Sequence, residues 1–200
     1  MNVSVWRLLA VALAVSLIGC GPRGDSPPVD PNTALRQEQA DDAPESGNGP
    51  SAAERPVSVR VIDEEEFAEV LAGYRGEVVL VDFWATWCLA CVELFPHTVA
   101  LHERFADDGL RVISVSFDQP ESKAAVLEFL KARGATFDNF ISRYGAGIES
   151  PQRFGLPGTL PQLRLYGRDG ELAYTFPEPQ SAVDPEAVDE AVKRLLEDGS

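Results

Sequence analysis

Hydrophobic and polar positions change rhythm several times along the chain, and each change marks an element. Residues 57 to 62, VSVRVI, alternate with a period of two and read as a short strand. The next stretch, DEEEFAEVLAG at 63 to 73, reads as a helix, with Asp63 and Glu66 spaced as a capping box. EVVLVDFWA at 77 to 85 is too continuously apolar to be half exposed, so it reads as a central strand covered on both faces. A helix follows from about residue 88 to 107, with Pro96 expected to kink it because proline removes one backbone hydrogen bond.

LRVISVSF at 110 to 117 reads as a second buried strand, and PESKAAVLEFLKARG at 120 to 134 as a helix with proline at its start and glycine at its end. TFDNFIS, 136 to 142, has the composition of a short strand. Residues 144 to 160 read as a loop holding one helical turn. QLRLYG and ELAYTF form a hairpin through Arg168, Asp169 and Gly170, and DPEAVDEAVKRLLED at 184 to 198 closes the chain as a helix capped by Asp184. Strands alternating with helices and ending in a hairpin predict an α/β fold: a mixed sheet, parallel crossovers, an antiparallel edge and helices on both faces. Phe117, Phe129, Phe137 and Phe140 read as core, and Glu64, Glu65 and Glu66 as a solvated first helical turn that suits the dipole.

The two sections ahead of residue 57 follow a different logic. Residues 1 to 19 carry Arg7 and then an apolar run, LLAVALAVSLIG, shorter than the roughly 20 apolar residues that span a bilayer, and so read as an export signal. Leu17, Ile18, Gly19 and Cys20 resemble the bacterial lipobox, which implies cleavage before Cys20 and lipidation of its thiol; an ordinary secretory signal with an incidental cysteine is the alternative. Gly21 in the following position implies outer-membrane delivery under enterobacterial sorting rules. Residues 20 to 56, rich in Pro, Gly, Ser and acids, read as a lipidated tether with an end-to-end distance of about 30 to 35 Å. Residues 57 to 198 then form one domain. A net charge of −15 argues against nucleic acid and anionic membrane surfaces as electrostatic partners.

The chain has three cysteines, and a capped Cys20 leaves Cys88 and Cys91 as the thiol pair. Cys88 falls where the central strand gives way to a helix. Unpaired amides and the positive end of the helix dipole favour the thiolate there, by at most about 2 kcal/mol or roughly 1.5 pKa units. With Cys91 three residues on, one turn inward on the same side, Cys88 is the expected attacking sulfur and Cys91 the resolving one. Asp82, an acid among Val79, Leu80, Val81, Phe83 and Trp84, is expected to be desolvated and to exchange a proton with the inner thiol, through a water; a strand-end acid pointing to solvent is the alternative. Two other roles for the pair compete. A metal would need His97 and His102, whose spacing does not bring them onto one face with the thiols. A structural bridge enclosing two residues would restrain little chain entropy.

VDFWATWCLAC resembles the active-site segment of thioredoxin-fold proteins: Trp84, Trp87, Asp82 six residues before Cys88 and Pro96 eight residues after it all fall where that family places its counterparts. FDQPESKAAVLEFLKARGATFDNFIS resembles the insert of the exported TlpA and ResA branch, and the resemblance covers residues 57 to 198. It implies the thioredoxin fold with that insert, thiol-disulfide exchange without cofactor or metal, and a cis-proline opposite the cysteines. Pro157 and Pro161 are candidates, and Pro161 is expected because it directly precedes a strand that a second proline would otherwise interrupt. The resemblance places Trp87, Leu160 and Pro161 at the substrate, and makes Leu89 and Ala90, which replace the usual proline-containing pair, the residues that tune the redox potential. It implies exported protein thiols or disulfides as substrates, a membrane electron donor of the DsbD or CcdA type, reductive exchange, and a periplasm-facing site in the cell envelope. A Sco-like copper carrier, a redox sensor and a peroxiredoxin-type peroxidase are the competing readings.

Overall fold

A computed structural model describes residues 56–177 and 181–198. The export signal, the lipobox at Cys20 and the tether up to residue 55 lie outside them. In chain order the elements are β1 (Arg60–Ile62), α1 (Glu64–Gly73), β2 (Val78–Trp84), α2 (Leu89–Phe105), β3 (Leu110–Ser116), a 3-10 turn (Pro120–Ser122), α3 (Lys123–Arg133), β4 (Asp138–Ser142), α4 (Glu149–Arg153), β5 (Gln162–Tyr166), β6 (Leu172–Phe176) and α5 (Pro185–Glu197). The six strands form one sheet in the order β1-β4-β3-β2-β5-β6. β1, β4, β3 and β2 run parallel, while β5 and β6 are antiparallel to their neighbours. This is the mixed sheet with an antiparallel edge expected from the order of patterns.

β2 sits between β3 and β5, and all seven of its residues are buried. Its alternation divides two cores. Val78, Leu80 and Trp84 pack with residues of α2, α3 and α5, whereas Val79, Val81 and Phe83 pack with Phe67 of α1 and with Phe154, which caps α4. A strand covered on both faces has no polar side to alternate, which is why its sequence is a near-continuous apolar run. Phe117, Phe137 and Phe140 are buried, and Phe129 is half-buried with its ring stacked on Trp84 at 4.7 Å.

Three boundaries differ from the sequence pattern. β1 covers only the last three residues of VSVRVI, because it lies at the sheet edge and its pairing with β4 runs from Arg60↔Phe140 to Ile62↔Ser142. The helix expected from Pro120 begins as a 3-10 turn and becomes α-helical at Lys123, ending on Gly134 at φ 68°, a left-handed cap that glycine adopts without Cβ strain. α2 continues through Pro96. Proline cannot donate to the carbonyl four residues back, that of Val92; Arg133 Nη1 lies 3.5 Å from this oxygen and supplies a donor.

The acids of α1 are a correction. The capping box is present in both directions, with Glu66 N–H donating to Asp63 Oδ1 (2.9 Å) and Asp63 N–H to Glu66 Oε2 (3.0 Å). Yet Glu64 and Glu66 are not merely solvated. Arg153 Nη1 is 3.2 Å from Glu64, whose carboxylate also accepts from the Tyr144 hydroxyl, and Arg143 Nη2 is 3.1 Å from Glu66. The Tyr144 hydrogen bond, followed by smaller contributions that include the Arg153 charge, lowers the Glu64 pKa. The pattern of acids on one turn cannot reveal cations that arrive from some 80 positions downstream.

Beside the backbone ladder, β4 is tied to β3 by the side chain of Asn139, which is 3 % exposed. Its amide nitrogen donates to the carbonyls of Ala135 (2.9 Å) and Phe137 (2.6 Å), and its oxygen accepts from Ser114 Oγ (2.7 Å). Asn139→Ala strands three buried polar groups. At about 1–3 kcal/mol for each orphaned group, partly relieved by water entry, the net loss of unfolding free energy is expected to be about 2–4 kcal/mol. Urea denaturation at constant m-value measures it, and a loss under about 0.5 kcal/mol would show that these bonds do not hold the insert to the sheet.

Candidate functional site

The parallel strands end along one edge of the sheet, and the chain leaves β2 there through Ala85, Thr86 and Trp87. A turn bond from Cys88 N–H to the Ala85 carbonyl (3.1 Å) brings Cys88 to the start of α2. Cys88 is the N-cap of that helix: its backbone is extended, its carbonyl accepts from Val92 N–H (3.0 Å), and its sulfur accepts from Cys91 N–H (3.3 Å). The sulfur therefore takes the place that a Ser or Asp side-chain oxygen ordinarily fills at a helix start.

Cys88 and Cys91 are joined by a disulfide, with S–S 2.12 Å and Cα–Cα 5.2 Å. The two sulfurs differ in access. Cys88 is half-buried, while Cys91, one turn in, is 2 % exposed and belongs to the core that also contains Trp84, Phe95 and Val99. Trp87 and Leu89 flank Cys88 on the outside, with 59 % and 73 % of their surfaces exposed, and Ala90 is exposed beside them.

Asp82 is 2 % exposed. It shares the face of β2 that carries Leu80 and Trp84, beneath α2, and its Oδ2 accepts from Thr98 Oγ1 at 2.7 Å. Thr98 is two helical turns past Cys91 on the same helix, so the carboxyl lies under the helix face that buries the inner sulfur. Its other oxygen, Oδ1, is buried without a protein partner. Desolvation raises the Asp82 pKa from its ordinary 3.8 to about 7, opposed by the Thr98 hydrogen bond. The solvent-pointing alternative for Asp82 is excluded by this burial.

The loop before β5 brings Leu160 and Pro161, joined by a cis peptide bond, to a groove shared with the first half of α2. Of the two candidate prolines, Pro161 is the cis one. A second cis bond, Phe176–Pro177, was not expected from the sequence. Leu160 and Pro161 line a groove of about 1040 Å³ together with Ala90 and Leu94 of α2, and Pro177 and Val183 on its far side. Trp87 and Leu89 stand outside this groove. The histidines have other partners: His97 Nε2 is 3.2 Å from Asp189 Oδ1 of α5, and His102 lies edge-on to Phe137 with Nε2 3.4 Å from Thr136 Oγ1.

The sequence pattern missed Asp118. It follows β3, is 4 % exposed, and accepts hydrogen bonds from both donors of Thr86. The available signal was an acid directly after a buried strand, SFDQ, at the edge where the cysteine turn must also lie.

The sequence profile of the AhpC/TSA family matches residues 60–174. Thiol-disulfide oxidoreductase ResA of Geobacillus kaustophilus is 29 % identical over 102 residues, covering 51 % of this chain and 55 % of that one. ResA of Bacillus subtilis is 34 % identical over 67 residues, covering 34 % and 36 %. The match thus spans about half or less of these relatives' lengths. Among solved structures, a Chlorobium tepidum protein provisionally named thiol:disulfide interchange protein DsbE superposes with a TM-score of 0.53 at 26 % identity, covering 63 % of this chain and 84 % of the other.

The raised pKa of Asp82 makes a stability prediction. Between pH 3.8 and about 7 the native chain holds a proton that the unfolded chain has lost, so stability falls as pH rises. The penalty is absent below that window and complete above it. A shift of this size corresponds to a cost on the order of 4 kcal/mol. Asp82→Asn is therefore expected to stabilise the oxidised protein by several kcal/mol at pH 8 and hardly at all at pH 4, read from urea unfolding at both. An equal gap at the two pH values would mean that the carboxyl does not titrate in this window.

Proposed function

The chain belongs to the AhpC/TSA family and has the thioredoxin fold, and from that premise we propose that it is a thiol-disulfide oxidoreductase acting through Cys88 and Cys91. One observation carries the reading: the two sulfurs are already paired at the start of α2, the outer one half-exposed and the inner one buried on the helix face above a desolvated acid. The names of the ResA relatives support the same activity.

In the reduced chain, Cys88 as thiolate attacks one sulfur of a substrate disulfide. The substrate S–S bond breaks, a mixed disulfide forms, and the departing substrate sulfur takes a proton. Cys91 then gives its proton to Asp82 and attacks Cys88 Sγ. The Cys88–substrate bond breaks, the second substrate sulfur leaves as a thiolate that takes up a proton from solvent, and the Cys88–Cys91 disulfide remains. Two electrons pass from the enzyme thiols to the substrate. Asp82 suits this role because its pKa of about 7 leaves both protonation states populated near neutral pH, and Oδ1 is free of other protein partners. Leu160 and Pro161 border the groove in which an extended substrate segment would lie beside Cys88, with Trp87 as an exposed apolar contact.

The direction is reductive, the substrates are exported protein disulfides, and a membrane dithiol donor of the DsbD or CcdA type restores the thiols. Leu89 and Ala90 set the potential. The domain works in the cell envelope, facing the periplasm and tethered by lipid on Cys20. Support for this placement is the apolar N-terminal run ending in Leu17–Cys20. Among the described residues no helix is long and apolar enough to cross a membrane.

The reading is tested with paired variants. Cys91→Ser is expected to accumulate a covalent adduct with a scrambled protein substrate that dithiothreitol releases, and Cys88→Ser to form none and lose at least 100-fold in insulin reduction. Insulin reduction by Cys88→Ser at the wild-type rate would remove the pair from the chemistry.

A further inference from the structure

Thr86 is two residues ahead of Cys88, in the turn between the central strand and α2, and its donors are both taken by one side chain. Asp118 Oδ2 accepts from Thr86 N–H at 2.9 Å, and Oδ1 from Thr86 Oγ1 at 2.5 Å. Asp118 is itself held: its Oδ2 also accepts from Ser116 Oγ at 2.6 Å, and its N–H donates back to that hydroxyl at 3.0 Å. Ser116, fully buried, is the last residue of β3, in register with Trp84, the last of β2. One further bond closes the assembly, from Phe117 N–H to the Trp84 carbonyl (2.8 Å).

A carboxylate removed from water in this way is costly unless its lone pairs are used, and here three donors use them. Two of these bonds hold the stretch of chain between Trp84 and the cap of α2, and the third seats Asp118 on β3. Without them the turn keeps its internal Cys88 N–H to Ala85 carbonyl bond, which does not tie it to β3. The position of that turn decides whether Cys88 Sγ meets Cys91 N–H and the unpaired amides at the helix start, which stabilise its thiolate.

We propose that Asp118, seated on Ser116, is a positioning residue for the reactive sulfur: by holding both donors of Thr86 it keeps Cys88 at the N-cap of α2 in the reduced protein, where its thiolate is stabilised. The inference takes Cys88 as the attacking sulfur from the function proposed above. It concerns a residue that touches neither sulfur.

Alkylation of the reduced full chain by iodoacetamide, followed at the Cys88 peptide by mass spectrometry across pH, tests it without any protein substrate. Its failure is therefore separable from a failure of the oxidoreductase reading, which the insulin assay addresses. Asp118→Asn, which replaces an acceptor by a donor, is expected to raise the pH midpoint of Cys88 alkylation by half a unit or more and to slow insulin reduction about 10-fold. Thr86→Ser keeps both donors and should match the unmodified protein, while Thr86→Val, which keeps only the backbone donor, should fall between the two. Should Asp118→Asn not fold, Thr86→Val and Ser116→Ala, each of which leaves the carboxylate bonded to Thr86 N–H, carry the comparison. A lower melting temperature with midpoint and rate unchanged within two-fold across these variants would make the cluster a brace for the fold and overturn the proposal.

Discussion

Burial of β2 on both faces is the constraint on which the other features depend. Its ladders to β3 and β5 satisfy the backbone, and its side chains alternate into two separate cores, so the strand cannot slip in register without turning Asp82 from one core to the other. Fixed in this way, it ends at Trp84, whose ring packs against both Phe95 of α2 and Phe129 of α3. The turn that follows therefore starts from a rigid point, and the start of α2 is placed relative to the sheet. The exposed and buried sulfurs occupy the first turn of that helix.

The same burial that organises the fold creates the chemistry. A carboxyl on a fully covered strand is desolvated, and the hydrogen bond it accepts from Thr98 compensates in part. The raised pKa sets a stability cost at neutral pH on a carboxyl that lies under the helix face burying the inner sulfur. Asp118 shows the opposite arrangement within one strand's distance. It too is buried, but three donors converge on it, and it joins the sheet edge to the cysteine turn. Two aspartates of similar burial thus differ in what surrounds them: one oxygen of Asp82 lacks a protein partner, whereas Asp118 has its acceptors occupied.

Most of the fold was legible in the sequence because period and punctuation report local geometry. The continuous apolar run of β2, the capping box at Asp63, Pro185 at the start of α5 and Gly134 at the end of α3 each act through neighbours within four positions. The errors have a common physical origin. The solvated reading of Glu64 and Glu66 failed because Arg143, Tyr144 and Arg153 reach α1 from the chain that follows the insert. The donor missing at Pro96 was legible, but not its substitute, Arg133, which lies 41 positions from the carbonyl it approaches.

By itself the sequence determined the pair Cys88 and Cys91, their place between a buried strand and a helix, and the acid that precedes them, since strand, turn and helix signals are local. The sequence favoured a buried Asp82 and a cis Pro161 over their alternatives; tertiary structure decided both, and it alone brought Asp82 to Thr98 and Asp118 to Thr86. These depend on which strand lies beside which, an outcome of packing across separations of 16 to 32 residues and more that no local pattern encodes.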